Sequence, residues 1–151
     1  MIADTPALYQ IVYLSSATRE FTEAELLELL KSSRERNRQR GITGLMLYAD
    51  GNILHIIEGA APTVKALYKK IQKDPRHKGL HLLWSKPVPK RDFPDYTMGF
   101  SRESTSTLDE EIPGFSNVVQ NHHLPDDMLD QLSKHVAVFI KTFARSTRIT
   151  D

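Results

Sequence analysis

Over residues 8–16 apolar positions fall on two alternating faces, with Tyr9, Ile11 and Tyr13 on one and Leu8, Val12 and Leu14 on the other. That period of two predicts a half-buried strand. Thr22-Glu23-Ala24-Glu25 then has the spacing of a capping box, with Phe21 and Leu26 placed as a hydrophobic staple. The helix it opens has Leu26, Leu27, Leu29 and Leu30 as its buried stripe, and Ser33 and Asn37 continue that stripe, so Asn37 is expected to face inward. Gly41 ends the helix. Residues 42–48 and 53–58 read as strands joined through the hairpin signal Asp50-Gly51. Residues 53–57 are apolar on both faces except at His55, as in a central strand covered on each side.

Pro62 suits the first position of a second helix, with Val64, Leu67, Tyr68 and Ile71 as its stripe and an end near Asp74-Pro75. Further strands are expected at 80–85 and 96–101, separated by a Pro- and charge-rich loop at 87–95. The order βαββαββ, with right-handed crossovers, puts both helices on one sheet face and gives an α/β, ferredoxin-like sandwich. A last helix, opened by Asp126, carries Leu129, Leu132, Val136, Ile140 and Phe143 at helical spacing. The sheet's second face is the expected place to bury that stripe; a partner's groove is the alternative. Residues 1–102 thus form the α/β unit, and 103–151 a C-terminal helical extension packing on the sheet.

Composition narrows the function. With 151 residues, 40% hydrophobic and 26% charged, the chain fits one domain around a single core. Twenty Lys and Arg against nineteen Asp and Glu leave a formal charge of +1, so no basic field favours nucleic acid. No apolar run approaches the roughly 20 residues that span a bilayer, and residues 1–10 lack the regions of a signal peptide, so no membrane is expected and the cytoplasm is the expected location. The absence of Cys excludes disulfides, thiolate zinc sites and cysteine nucleophiles. With no repeat and no separate output domain, any signal leaves through a surface, and a protein partner is expected.

Four features invite chemistry: Tyr13, Asn37, His55 and the cluster of Lys70, Asp74 and His77. Each has a plainer alternative. A strand Tyr is commonly a core residue with a wet hydroxyl, an Asn near a helix end a cap, and a buried His a hydrogen-bonded core group. Lys70 and Asp74, four apart, fit a surface ion pair. His122-His123 lacks further ligands at suitable spacing, so no metal site is expected, and the basic residues of 86–91 read as a solvated loop. No Gly-rich phosphate loop or serine nucleophile elbow occurs.

Residues 8–16, Leu-Tyr-Gln-Ile-Val-Tyr-Leu-Ser-Ser, taken with residues 36–48, above all Asn37 followed by Gly41-Ile42-Thr43-Gly44, resemble a BLUF domain, the blue-light sensor that uses FAD. Ile57-Glu58-Gly59, Asp74-Pro75-Arg76-His77 and residues 91–98 match in family order and spacing, so the resemblance covers about 8–102. It implies a flavin ring between the first two helices and against the sheet. Tyr13 then corresponds to the photochemical tyrosine, and Asn37 to the asparagine that holds the ring's carbonyl and nitrogen. Lys70 stands where Arg is common, Asp74 and His77 match positions near the ribityl and phosphate, and Arg36 and Ile71 complete the cofactor set. Met98 matches a mobile methionine, and Tyr96 a position where many members carry Trp. FAD is the expected cofactor, with FMN as the variant. No catalytic residue is expected, and a homo-oligomer is.

The important departure from the family is on the third strand. Where a switch glutamine is expected, two residues before the apolar-Glu-Gly sequence, the chain has His55. A carboxamide donates and accepts in two interchangeable orientations; a neutral imidazole has one donor and one acceptor fixed on opposite sides of a rigid ring. Two readings follow: a flavin-binding photoreceptor with an altered photocycle, or a light-insensitive, flavin-free interaction module of the same fold. An acylphosphatase-like hydrolase shares the topology, but Ser15-Ser16-Ala17-Thr18 stands where its basic, glycine-bearing phosphate loop belongs.

Overall fold

The computed structural model describes residues 7–18, 22–49, 51–94, 99–102 and 132–146. In chain order these form β1 (Leu8–Ala17), α1 (Glu23–Arg40), β2 (Thr43–Ala49), β3 (Asn52–Ala60), α2 (Ala61–Gln72), β4 (His77–Pro87), β5 (Gly99–Arg102) and α3 (Lys134–Ser146). One five-stranded sheet runs in the order β4-β1-β3-β2-β5. The first four strands pair antiparallel, and β5 adds to β2 in parallel. This is the expected ferredoxin-like sandwich with an added edge strand.

Local chemistry sets most of the boundaries. Thr22 and Glu25 make both bonds of the capping box, and Gly41, at φ 70°, closes α1 in the left-handed conformation that glycine adopts without strain. The side chains of Leu26, Leu27 and Leu30 lie outside the described residues. Strands β2 and β3 pair from Ala49 opposite Asn52 inward, as the hairpin signal requires; Asp50 is outside the described residues. A Cβ on Gly44 would sit 2.0 Å from the Ile56 carbonyl oxygen, so this pairing admits only glycine there. Helix α2 begins at Ala61 rather than at Pro62, because the Ala61 N–H, free of intrahelical partners in a first turn, donates to the Ala7 carbonyl at 3.1 Å.

Strand β4 is longer than its apolar segment predicts. It follows β1 from Ala17 opposite His77 to Tyr9 opposite Pro87, with two register shifts, so the neighbouring strand recruits polar ends that have no period of their own. Residues 95–98, including the expected start of β5, lie outside the described residues.

The sheet separates two cores. On one face Ile11, Tyr13 and Ile57 pack with Val64, and with Leu67, Tyr68 and Ile71 of α2. On the other, Val12, Leu45, Leu47, Leu54 and Ile56 pack with Val136, Ile140 and Phe143 of α3, and Leu132 joins them. The last helix therefore covers the second face. It starts at Lys134, not as an unbroken helix from Asp126, since residues 132 and 133 are not helical. The reason is Asp92, whose carboxylate accepts the backbone N–H of Ser133 at 2.7 Å and its hydroxyl at 2.9 Å, holding the chain at the helix entrance. Leu129 and the rest of 103–131 lie outside the described residues.

A buried polar network joins this entrance to the sheet. Glu58, fully buried, accepts from the backbone N–H groups of Asp92 at 2.9 Å and Phe93 at 2.6 Å, from the Thr43 hydroxyl at 2.9 Å, and from Gln10 at 3.2 Å. Gln10 also donates to Asp92 at 2.7 Å, and its carbonyl oxygen lies 2.6 Å from Nε2 of His135, which stacks on Trp84 at 3.7 Å. Burial pushes the Glu58 carboxyl up, and those four hydrogen bonds oppose it.

Candidate functional site

Between α1, α2 and the first sheet face lies a cavity of about 270 Å³. Two strand residues form its floor. Tyr13 of β1 and His55 of β3 are direct cross-strand partners, both nearly fully buried, and both project to the helix-covered face because each strand alternates with period two. The helical stripe of α1 brings Leu29, Ser33, Arg36, Asn37 and Arg40 to one wall; Leu67, Lys70 and Ile71 of α2 form the other. Asp74, Arg76 and His77 close the end where α2 turns into β4.

All eight cofactor-site residues expected from the sequence, Tyr13, Arg36, Asn37, His55, Lys70, Ile71, Asp74 and His77, line this one cavity. Asn37 is 4% exposed, in keeping with its inward stripe position. Tyr96 and Met98 lie outside the described residues. Arg40, Met46, Ile53 and Arg76 line the cavity without having been singled out. Two of them were within reach of pattern reasoning: Arg40 continues the stripe three residues past Asn37, and Met46 is the cross-strand partner of His55. The expected Lys70 and Asp74 ion pair is replaced by another. Asp74 lies beyond the end of α2, so helical four-residue spacing does not apply, and its carboxylate pairs with the Arg76 guanidinium through Nε at 3.0 Å. Those hydrogen bonds hold the Asp74 carboxyl below its usual range.

Tyr13 Oη and His55 Nδ1 are 2.8 Å apart, with the rings edge to face at 5.3 Å. His55 Nε2 is buried and has no partner among the described residues. Burial, with the Tyr68 and Asp74 charges adding to it, pushes the Tyr13 phenol well up, so it stays protonated. Burial also depresses the His55 pKa to about 3, with the neighbouring His77 contributing. His77 lies with its Nε2 2.6 Å from the Ile71 carbonyl, which makes Nε2 a donor, and its Nδ1 is buried without a partner among the described residues.

A neutral buried His55 has a measurable consequence. Between its ordinary value of 6.5 and its folded value of about 3, the unfolded chain binds the proton and the folded protein does not, so stability falls as pH falls through that window. Going from about pH 7 to about pH 4.5, His55→Gln should lose about 2–3 kcal/mol less stability than the parent. Urea midpoints at the two pH values measure it. Equal losses would mean that the folded protein protonates His55.

The family described as sensors of blue-light using FAD, abbreviated BLUF, matches residues 8–99. The chain belongs to the BLUF family. Among curated relatives, the photoactivated adenylate cyclase subunit beta of Euglena longa is 30% identical over 141 residues, covering 93% of this chain. This chain spans only 15% of that protein's length. The blue light- and temperature-regulated antirepressor BluF of Escherichia coli is 28% identical over 86 residues, 57% of this chain and 21% of its own. Among solved structures, the dark state of the BLUF protein BlrB superposes with a TM-score of 0.64 at 26% identity, over 95% of this chain and 99% of that one. The BlsA ground state gives 0.60 at 28% identity over 68% of each chain. A BLUF domain is a photosensor module, and the cavity is on the face where the family resemblance puts the flavin. Among the described residues no helix is long and apolar enough to cross a membrane, and no group of three or more metal-binding side chains is assembled.

Proposed function

We propose that the cavity holds a flavin, FAD, as the chromophore of a blue-light sensor whose switch position is His55. The observation that carries this reading is the convergence of Tyr13, Asn37 and the unpartnered Nε2 of His55 on one apolar-walled cavity of small-molecule size. The donor set fits the cofactor. His55 and Asn37 are polar groups at the depth of a ring edge, and Arg36, Arg40, Lys70 and Arg76 surround the cavity with cations suited to phosphate. When bound, the flavin supplies absorption of blue light and an electron-accepting ring. Tyr13 offers a phenol 2.8 Å from His55 Nδ1, and Leu29, Ile53, Leu67 and Ile71 give the cavity its apolar lining.

A second cleft of about 380 Å³, lined by Thr18, Glu25, Glu28, Ser32 and the shared Leu29, Arg36 and Arg76, continues from the first and supports the dinucleotide over FMN. The arginines at the junction suit the phosphates, and the glutamates beyond them suit ribose hydroxyls and the adenine amino group. The output is read by a protein partner on the α3 side of the sheet, where the Glu58 and Asp92 network meets the helix entrance. Self-association and a cytoplasmic setting belong to the same reading.

Asn37→Ala should weaken FAD binding by about one to two powers of ten, since two buried hydrogen bonds contribute on the order of 2–3 kcal/mol. Fluorescence titration of both proteins with FAD measures this. Equal affinities would remove Asn37 from the site, and a parent protein that stays colourless with excess FAD would favour the flavin-free module.

A further inference from the structure

The hydrogen bond between Tyr13 and His55 leaves the position of one proton open, and counting partners closes the question. Among the described residues the Tyr13 hydroxyl has no partner other than Nδ1 of His55, and Nε2 of His55 has none. If Nδ1 carried the proton and donated to Oη, the phenol hydrogen and the Nε2 lone pair would both be buried and unmatched. If the phenol donates to Nδ1, one group is left, an N–H at Nε2. Each unmatched buried polar group is costly, so the arrangement with a single one prevails. We infer that Tyr13 locks His55 in the Nε2–H tautomer, so that the cavity floor presents one fixed hydrogen-bond donor and requires an acceptor on its ligand.

The second imidazole, His77, donates through Nε2 to the Ile71 carbonyl, and its Nδ1 is buried without a partner among the described residues. The polarity argued here is therefore that of His55, which a ligand meets with an acceptor. This deepens the flavin reading, because the edge of a heteroaromatic ring offers one. It also distinguishes His55 from a glutamine, whose amide would offer the ligand either polarity by turning over. In this chain the polarity belongs to Tyr13.

Nitrogen NMR of the 15N-histidine-labelled protein tests the lock without any ligand, since a protonated ring nitrogen and a bare one resonate far apart and are distinguished by their couplings to the ring protons. His55→Gln and His77→Gln spectra assign the signals. The expected result is bare Nδ1 and protonated Nε2 in His55, with this single-tautomer pattern lost in Tyr13→Phe. After addition of FAD, His55 Nε2 should remain protonated. A protonated Nδ1 in His55, a charged ring, an unchanged pattern in Tyr13→Phe, or a bare Nε2 in the FAD-loaded protein would each overturn the inference. If Tyr13→Phe does not fold, the parent spectrum decides. If FAD does not bind, the flavin reading fails while the ligand-free spectrum still decides the tautomer.

Discussion

Loaded with FAD and illuminated with blue light, the protein should show no lasting red shift of its flavin absorption, and His55→Gln should restore one. In the family this protein belongs to, the glutamine between tyrosine and flavin rearranges after light-driven electron and proton transfer, and its altered hydrogen bond shifts the spectrum. His55, which the sequence resemblance puts in that place, is bonded to Tyr13 at 2.8 Å and buried to 4% exposure. An imidazole held at Nδ1 has a single direction for Nε2, and turning the ring over would break the bond to Tyr13 and leave further buried groups unmatched. The amide's exchange of donor and acceptor by turning over is therefore missing, and with it the rearrangement that stores the change. Tyr13→Phe in the restored protein should abolish the shift by removing the electron and proton donor. Difference spectra of the parent, His55→Gln and the double variant decide this. A reversible red shift of ordinary lifetime with His55 in place would show that imidazole performs the switch.

Replacing Glu58 with alanine should cost on the order of 3–5 kcal/mol of stability, a large share of the roughly 5–15 kcal/mol typical of a domain. The carboxylate is the common acceptor for two backbone N–H groups, the Thr43 hydroxyl and Gln10, all buried. Alanine strands the Asp92 and Phe93 amides with no acceptor in reach, and an unmatched buried donor costs about 1–3 kcal/mol. Glu58→Gln keeps one oxygen and turns an amide nitrogen toward a donor, so its loss should be smaller. Urea unfolding followed by the emission of Trp84, the single tryptophan of the chain and the stacking partner of His135, reads both variants. A Glu58→Ala midpoint within about 1 kcal/mol of the parent would mean that water replaces the carboxylate without cost.

Much of the site could be read from local pattern. The stripe from Leu29 through Ser33 to Asn37 and the alternation around Tyr13 and His55 each assign a face, and these faces meet at the cavity. Where the start of α3 was misplaced, the deciding contact was distant in the chain. Asp92 sets the start of α3 from 41 residues away, and Gln10 reaches Asp92 across 82. The Lys70 and Asp74 pairing failed because a rule for helices was applied beyond the end of α2, where the turn offers Arg76 instead.

By itself the sequence determined the order of elements, the faces of the main apolar stripes and the family, and it singled out His55 for attention, because periodicity and motif spacing are local properties. Only the tertiary structure decided that Tyr13 and His55 stand directly opposite one another, bonded through Nδ1 with Nε2 left over. A period of two gives a residue's face but not its partner. The partner depends on register, which is set by how β1, β3 and β4 pair along their whole length under two covered faces.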